Sequence, residues 1–256
     1  MAGENEGTRD RYARTFDVLE LLVGHAGGMT VTEISTRLDL PISSSHNLLQ
    51  RMVASEVVSV TDGPRYSLGP RAVRLGIRIA DGLEVRGLAR RHLQELARGT
   101  GEDVYLAVRL GRRITYVERV PGSRPVTVEI RLGQDLYLHA TAVGKLFAAH
   151  DESLRRRLWA RSRPRLTEHT LTGPDDLEAE FARIREDGVS VSREEAVLGV
   201  VGIAVGVRDV HGELVAAVHV SAPLPQIGAT EAELVRAARG TAAAVERDLG
   251  RWAAPS

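Results

Sequence analysis

Cysteine is absent from the 256 residues, which excludes disulfides, thiolate metal ligands and a cysteine nucleophile. Aromatic residues make up 4%, too few to favour stacking on single-stranded nucleic acid. No stretch approaches the roughly 20 apolar residues that span a bilayer. The polar start Met1-Ala2-Gly3-Glu4-Asn5-Glu6 lacks a secretory hydrophobic segment, so the expected location is cytoplasmic, with no membrane partner. The eight histidines are scattered singly, and neither a nucleophile elbow nor a phosphate loop is present. No metal and no cofactor is therefore expected. No internal repeat or low-complexity tract appears.

What the chain does contain is a turn followed by an amphipathic helix at Leu40-Pro41-Ile42-Ser43-Ser44-Ser45-His46-Asn47-Leu48-Leu49-Gln50-Arg51. At 100° per residue, Ser45, Leu48, Leu49, Met52 and Val53 share one face, while Ser43, Asn47, Gln50, Arg51 and Ala54 lie opposite with Ser44 at the edge. The first set packs, and the second is free to touch base edges and phosphates. Before it, Thr30-Val31-Thr32-Glu33 has capping-box spacing, and Ile34 and Leu38 form an i, i+4 apolar pair. Phe16, Leu19, Leu22 and Val23 line a helix from about Thr15 to His25, ended by Gly27-Gly28. After it, β-branched Val57 to Thr61, the turn Asp62-Gly63-Pro64 and the return Arg65-Tyr66-Ser67-Leu68 read as a hairpin. Three helices and a hairpin make a winged helix-turn-helix, whose second motif helix enters the major groove.

Charge sets a limit on that reading. Residues 9–78 hold nine arginines against seven acids, an excess of only two, whereas a strong non-specific DNA binder is more basic. Placement compensates: Arg9, Arg11 and Arg14 lead into the first helix, Arg51 lies on the reading helix and Arg65 on the wing. Two copies in a dimer double those contacts. Asn47 and Gln50 suit adenine edges, Arg51 suits guanine or phosphate, and Ser43 and Ser44 suit phosphate. The alternative for the helix is an ordinary polar solvent face.

From about Pro70 to Arg98 the pattern is one long linker helix with a break expected near Asp81-Gly82, closed by Gly99-Thr100-Gly101. Strands are expected near 103–109, 113–120, 125–131, 200–208 and 213–221, and helices near 142–150, 151–161, 175–187 and 229–250. Gly111-Arg112 and Val210-His211-Gly212 read as hairpin turns. Grouped strands with segregated helices indicate an α+β domain around an antiparallel sheet.

Five segments together resemble the IclR family of transcription regulators. They are Phe16–Leu22, Leu40–Gln50, Tyr66-Ser67-Leu68-Gly69, His139–Lys145, and Asp187-Gly188 through Glu194-Glu195 into Gly202–Val207. The resemblance runs roughly from Tyr12 to Ile227. It implies an N-terminal winged helix-turn-helix domain over 9–69, a linker helix over 70–98 and a C-terminal GAF-like α/β effector-binding domain over 99–252. It also implies a homodimer or a dimer of dimers. The chain departs from the family at Ile42 and Asn47, where a basic residue is usual, and at Gly202 and Gly206, where a cysteine and a proline are frequent. The first pair bears on the operator sequence and the second on the pocket.

The expected DNA-contacting set is Ser43, Ser44, His46, Asn47, Gln50, Arg51, Arg65 and Arg14. By resemblance, Leu136, Ala142, Val143, Ser192, Gly202, His219 and Ser221 occupy effector positions. Strand alternation gives a separate argument. Val201, Ile203, Val205 and Val207 share one side of their strand, leaving Gly202, Ala204 and Gly206 on the other. On the partner strand Ala217, His219 and Ser221 share a face. If the two faces meet they form a hollow with convergent polar groups; the alternative is a helix packed closely on the glycines. Thr141 is placed to cap a helix whose free N–H groups suit an anion, which makes a carboxylate ligand the favoured class. Lys145, the single lysine, reads as solvated or ion-paired before it reads as a ligand contact, and His139 as a structural hydrogen-bonding residue.

The expected function is a ligand-responsive regulator, favoured as a repressor, that binds a pseudopalindromic double-stranded operator under control of a small organic acid. An activator of the same architecture is the alternative. An enzyme using Glu194, Glu195, His219 and Ser221, and a protein-binding sensor module, are the rivals from other classes.

Overall fold

The computed structural model describes residues 3–61, 63–125, 130–224 and 231–253. The chain forms two compact units, Met1–Gly82 and Leu83–Ser256.

The first unit contains α1 (Gly3–Val23), β1 (Met29–Thr30), α2 (Val31–Arg37), α3 (Ile42–Ala54), β2 (Val58–Thr61), β3 (Arg65–Leu68) and α4 (Pro70–Asp81). The strands form an antiparallel sheet in the order β1-β3-β2. Thr30 caps α2 through the expected reciprocal box: Glu33 N–H donates to Thr30 Oγ1 at 3.2 Å and Thr30 N–H to Glu33 Oε2 at 2.7 Å. Val18, Leu22, Ile34, Leu49, Met52 and Tyr66 close one core around these elements. Two expectations change here. α1 begins at Gly3 rather than near Thr15, because its first turns are polar and carry no apolar period. The two-residue strand β1 is too short to leave a sequence pattern. Asp62, in the expected wing turn, lies outside the described residues.

The expected linker helix is two helices, α4 in the first unit and α5 (Glu84–Thr100) in the second, separated at Gly82-Leu83. Gly101 ends α5 in the left-handed region at φ 76°, a conformation that costs glycine little.

The second unit continues with β4 (Asp103–Leu110), β5 (Arg113–Val120), α6 (Ala142–His150), α7 (Glu152–Trp159), α8 (Pro174–Asp187), β6 (Val189–Arg193), β7 (Val200–Arg208), β8 (Leu214–Pro223) and α9 (Glu231–Ala253). Its sheet is antiparallel throughout, in the order β5-β4-β8-β7-β6. On one face Val201, Ile203, Val205 and Val207 pack with α5 and α9. On the other, Ala204, Ala217, Tyr105 and Tyr116 pack with α6, α7 and α8. The β7 alternation therefore divides two helical layers. β6 is an added strand whose Val189 and Val191 join the first layer. Residues 126–129 of the strand expected at 125–131 lie outside the described residues, and residues 125, 130 and 131 are not in a strand.

Candidate functional site

On α3 the inward face holds Ser45, Leu49 and Met52, all buried. Ser43, Ser44, His46, Asn47, Gln50 and Arg51 are exposed. Position alone separates these serines, as helical geometry requires. Pro41 precedes the helix without a side-chain cap, so the first-turn N–H groups are left for solvent or an anion. Arg65 is more committed than expected on the wing, since its guanidinium donates to Gly28 O at 2.8 Å and lies 3.7 Å from Glu33. Arg14 is half-buried and makes an interaction of its own.

In the second unit the two small-residue faces do meet. Gly202 pairs with Ser221, Ala204 with His219 and Gly206 with Ala217. A Cβ on Gly206 would sit 2.6 Å from Leu214 Cδ1, so that glycine is filled by packing. At Gly202 a Cβ would lie 2.8 Å from His219 Nε2 and 3.5 Å from the Ala142 methyl. There the missing side chain makes room for an imidazole and the start of α6.

A cavity of about 50 Å³ lies beside them, lined by Ala142, Ser192, Gly202, His219 and Ser221 together with Tyr116, Ile130, Thr141, Ala196, Val197 and Val200. Five of the seven expected effector positions are thus brought together. The other two are not. Val143 is fully buried in the layer of α6, α7 and α8, because the helix turns it away from the strand carrying Gly202. Leu136 lines a different hollow, because its segment runs along β5, where Leu136 N–H donates to Ile114 O.

Tyr116 was missed because β5 slips register against β4 between Leu106 and Ala107, a bulge that leaves no simple sequence signature. Ile130, Ala196 and Val197 come from irregular segments without periodicity, whereas Val200 opens β7 on the Gly202 side, where strand alternation could have placed it. The alternating Val-Ser-Val-Ser of β6 could have placed Ser192 by geometry alone.

No lining side chain is charged. His219 is buried, and its Nδ1 lies 3.0 Å from Tyr116 Oη; burial holds its pKa down at about 3. The imidazole is therefore neutral at ordinary pH. Ser192 donates to Ala140 O at 2.7 Å and is occupied in holding two segments together. Ser221 is buried and makes no hydrogen bond among the described residues. Thr141 caps α6, accepting from Gly144 N–H at 2.9 Å and donating to Tyr137 O at 2.9 Å. Gly144 is required there, since a Cβ would come within 2.2 Å of Tyr137 O.

Lys145 is ion-paired, in keeping with the first expectation for it. It is 1% exposed and donates to Glu195 Oε1 at 2.6 Å, Glu180 Oε1 at 2.9 Å and Val191 O at 2.9 Å. Burial raises the Glu195 pKa against the pull of Lys145. At Glu180 burial is outweighed by the Arg183 hydrogen bond and the Lys145 charge, which leave its pKa below the usual carboxylate range. This cluster fixes the segment carrying Ala196 and Val197 to α6 and α8. His139 is buried with Nε2 3.0 Å from Pro164 O, a structural bond as expected.

The rival catalytic set is not assembled. Glu195 is held by Lys145, Glu194 accepts from Gly199 N–H at 2.7 Å, and neither lines the cavity with His219 and Ser221. Among the described residues no group of three or more histidine or acidic side chains could hold a metal ion. No helix there is long and apolar enough to cross a membrane.

Comparison with known proteins agrees with this geometry. Residues 13–60 match the IclR helix-turn-helix domain, and residues 77–247 match the bacterial transcriptional regulator IclR C-terminal family. The glycerol operon regulatory protein of Streptomyces coelicolor is 30% identical across 93% of this chain and 95% of its own length. The DNA-binding transcriptional repressor YiaJ of Escherichia coli is 29% identical across 98% of this chain and 92% of its own. An IclR homolog from Microbacterium hydrocarbonoxydans, crystallised with 4-hydroxybenzoate, superposes with a TM-score of 0.84 at 26% identity, covering 93% of this chain and 98% of that one. An N-terminal reading helix, an antiparallel sheet enclosing a small cavity, and family matches to both parts converge: the chain is a DNA-binding transcription regulator and belongs to the IclR family.

Proposed function

We propose that the protein is a repressor whose hold on a pseudopalindromic operator is set by a small organic acid bound beneath the N-terminus of α6. The observation carrying this reading is the unpartnered Ser221 hydroxyl beside a neutral imidazole and the start of a capped helix. Such a site stabilises a carboxylate through hydrogen-bond donors and the helix dipole, without a counter-charge. If the Tyr116 hydroxyl donates to Nδ1, the proton on His219 sits on Nε2, on the cavity side. A volume of about 50 Å³ is near that of one or two waters. A larger acid enters only by displacing the wall at Ala196 and Val197, which Lys145 and Glu195 tie to α6 and α8. Ligand binding thus favours one arrangement of the C-terminal unit over another, the unequal affinity that any switch requires.

DNA binding uses the exposed side of α3 in the major groove, with Asn47, Gln50 and Arg51 toward bases and Ser43, Ser44 and His46 toward phosphates. Arg14 and Arg65 are better placed to steady the fold than to reach DNA first. The active form is a homodimer or a dimer of dimers. α1 leaves Tyr12 and Phe16 exposed, and α4 leaves Val73, Leu75, Ile77 and Ile79 exposed. Two copies would cover these apolar faces and set two reading helices about one turn of DNA apart. Repression is favoured over activation by the named function of the E. coli relative, and catalysis is not part of the reading.

The test is operator selection from random duplexes, then anisotropy titration of the wild type and Ser221→Leu with a panel of small carboxylates. The wild type releases DNA with one of them, while the variant binds DNA equally well and ignores it. A response retained by the variant places the effector elsewhere.

A further inference from the structure

A second hollow, of about 470 Å³, lies in the C-terminal unit between residues 134–139 and the end of α7. It shares no residue with the cavity beneath α6. Its floor is apolar, made by buried Ile114, Leu138 and Leu158 and half-buried Leu136. Its rim is cationic: Arg113, Arg157 and Arg161 border it with one carboxylate, Asp135.

That carboxylate is already taken by Arg113, at 2.9 Å. Arg157 donates to the neutral carbonyl of Arg112, and the Arg161 guanidinium forms no hydrogen bond or ion pair among the described residues. Two guanidinium groups therefore stand beside one hollow without a counter-ion. Their crowding is felt at Arg157, where burial and then the charge of Arg161 lower the pKa while Asp135 opposes them. Like charges at such a rim repel until an anion sits between them.

We propose that this hollow is a second ligand site, taking a small aryl or branched-alkyl carboxylate with its charged end between Arg157 and Arg161 and its hydrocarbon on the leucine floor. The planar guanidinium fork matches a carboxylate. An inorganic anion would leave the apolar floor unused, and a neutral ligand would leave the rim charges uncompensated. The volume falls within the range of small-molecule sites, roughly 300 to 1,000 Å³.

The test is calorimetric titration of the full chain with benzoate in a Ser221→Leu background, which blocks the other cavity and separates the two sites. One benzoate binds per chain, Arg157→Gln with Arg161→Gln weakens it at least tenfold, and benzamide and inorganic phosphate each bind at least tenfold more weakly than benzoate. Arg161→Gln alone, at an exposed side chain, gives a several-fold loss and keeps the test intact if the double variant fails to fold by circular dichroism. Absence of benzoate binding, indifference to the arginine substitutions, or equal binding of benzamide or phosphate overturns the proposal. Failure of the cavity beneath α6 is read separately, as a wild type whose titration Ser221→Leu does not change.

Discussion

The reading helix and the sheet cavity solve opposite problems. On α3 the side chains proposed to carry recognition are exposed, with no side-chain hydrogen bond among the described residues, and the inward positions only pack. In the C-terminal unit the polar groups face inward and most are bound to one another: His219 to Tyr116, Ser192 to Ala140, Lys145 to two glutamates. Exposed polarity is held by nothing and can be exchanged at little cost to the fold. Buried polarity is held by everything around it, so the same kind of substitution there threatens the structure.

The sharpest way to break the contrast is Lys145→Met. It leaves the buried Glu195 carboxyl without its cation, while Glu180 keeps Arg183, and loss of about 3–5 kcal/mol is expected. The urea midpoint of the C-terminal unit should fall accordingly, and Glu195→Gln should cost less, because burial already opposes the charge on that carboxyl and Lys145 keeps Glu180. A loss no greater than that of a surface substitution would mean the cluster is solvated.

On the other side of the comparison, Arg51→Ala should weaken operator binding by about 1 to 3 kcal/mol if the side chain makes a bidentate contact, with the thermal midpoint unchanged. Unchanged affinity would remove Arg51 from the interface.

Acid sharpens the difference further. The folded pKa of His219, about 3, is below the unfolded value near 6.5. The unfolded chain therefore takes up the proton first, and stability falls as pH drops from about 6.5 toward 3. Between pH 7 and pH 5 this amounts to about 2 kcal/mol, and His219→Gln should remove that part of the slope. An unaltered slope would mean that the imidazole reaches water.

The smallest effect is expected at Ser45, whose buried hydroxyl has no hydrogen-bond partner among the described residues. Ser45→Ala should be neutral or stabilising by up to about 1 kcal/mol and leave DNA affinity intact. Weakened DNA binding with a stable fold would put Ser45 on the wrong face.

Both regions were legible where a period decides the matter. A 3.6-residue repeat divided Ser43, Asn47 and Gln50 from Ser45 and Leu49, and a two-residue repeat divided Gly202 and Ala204 from Val201 and Ile203. Legibility ended where structure departs from a period. The β5 bulge rotated Tyr116 into the cavity, the irregular segment after β6 supplied Ala196 and Val197, and α1 extended through a polar stretch with no apolar stripe. Arg65 looked available because its partners, Gly28 and Glu33, are remote in sequence. Lys145 read as ion-paired from its chemistry, but its two glutamates lie 35 and 50 residues away, beyond any spacing rule. Val143 and Leu136 followed family positions, and packing put them elsewhere.

Whether the outward side of α3 reads duplex sequence is decided by titrating the double variant Asn47→Ala with Gln50→Ala against the selected operator and an unrelated duplex at several salt concentrations. Preference for the operator should collapse while affinity for the unrelated duplex and its salt dependence stay as in the wild type. An undiminished preference in a correctly folded variant would contradict it.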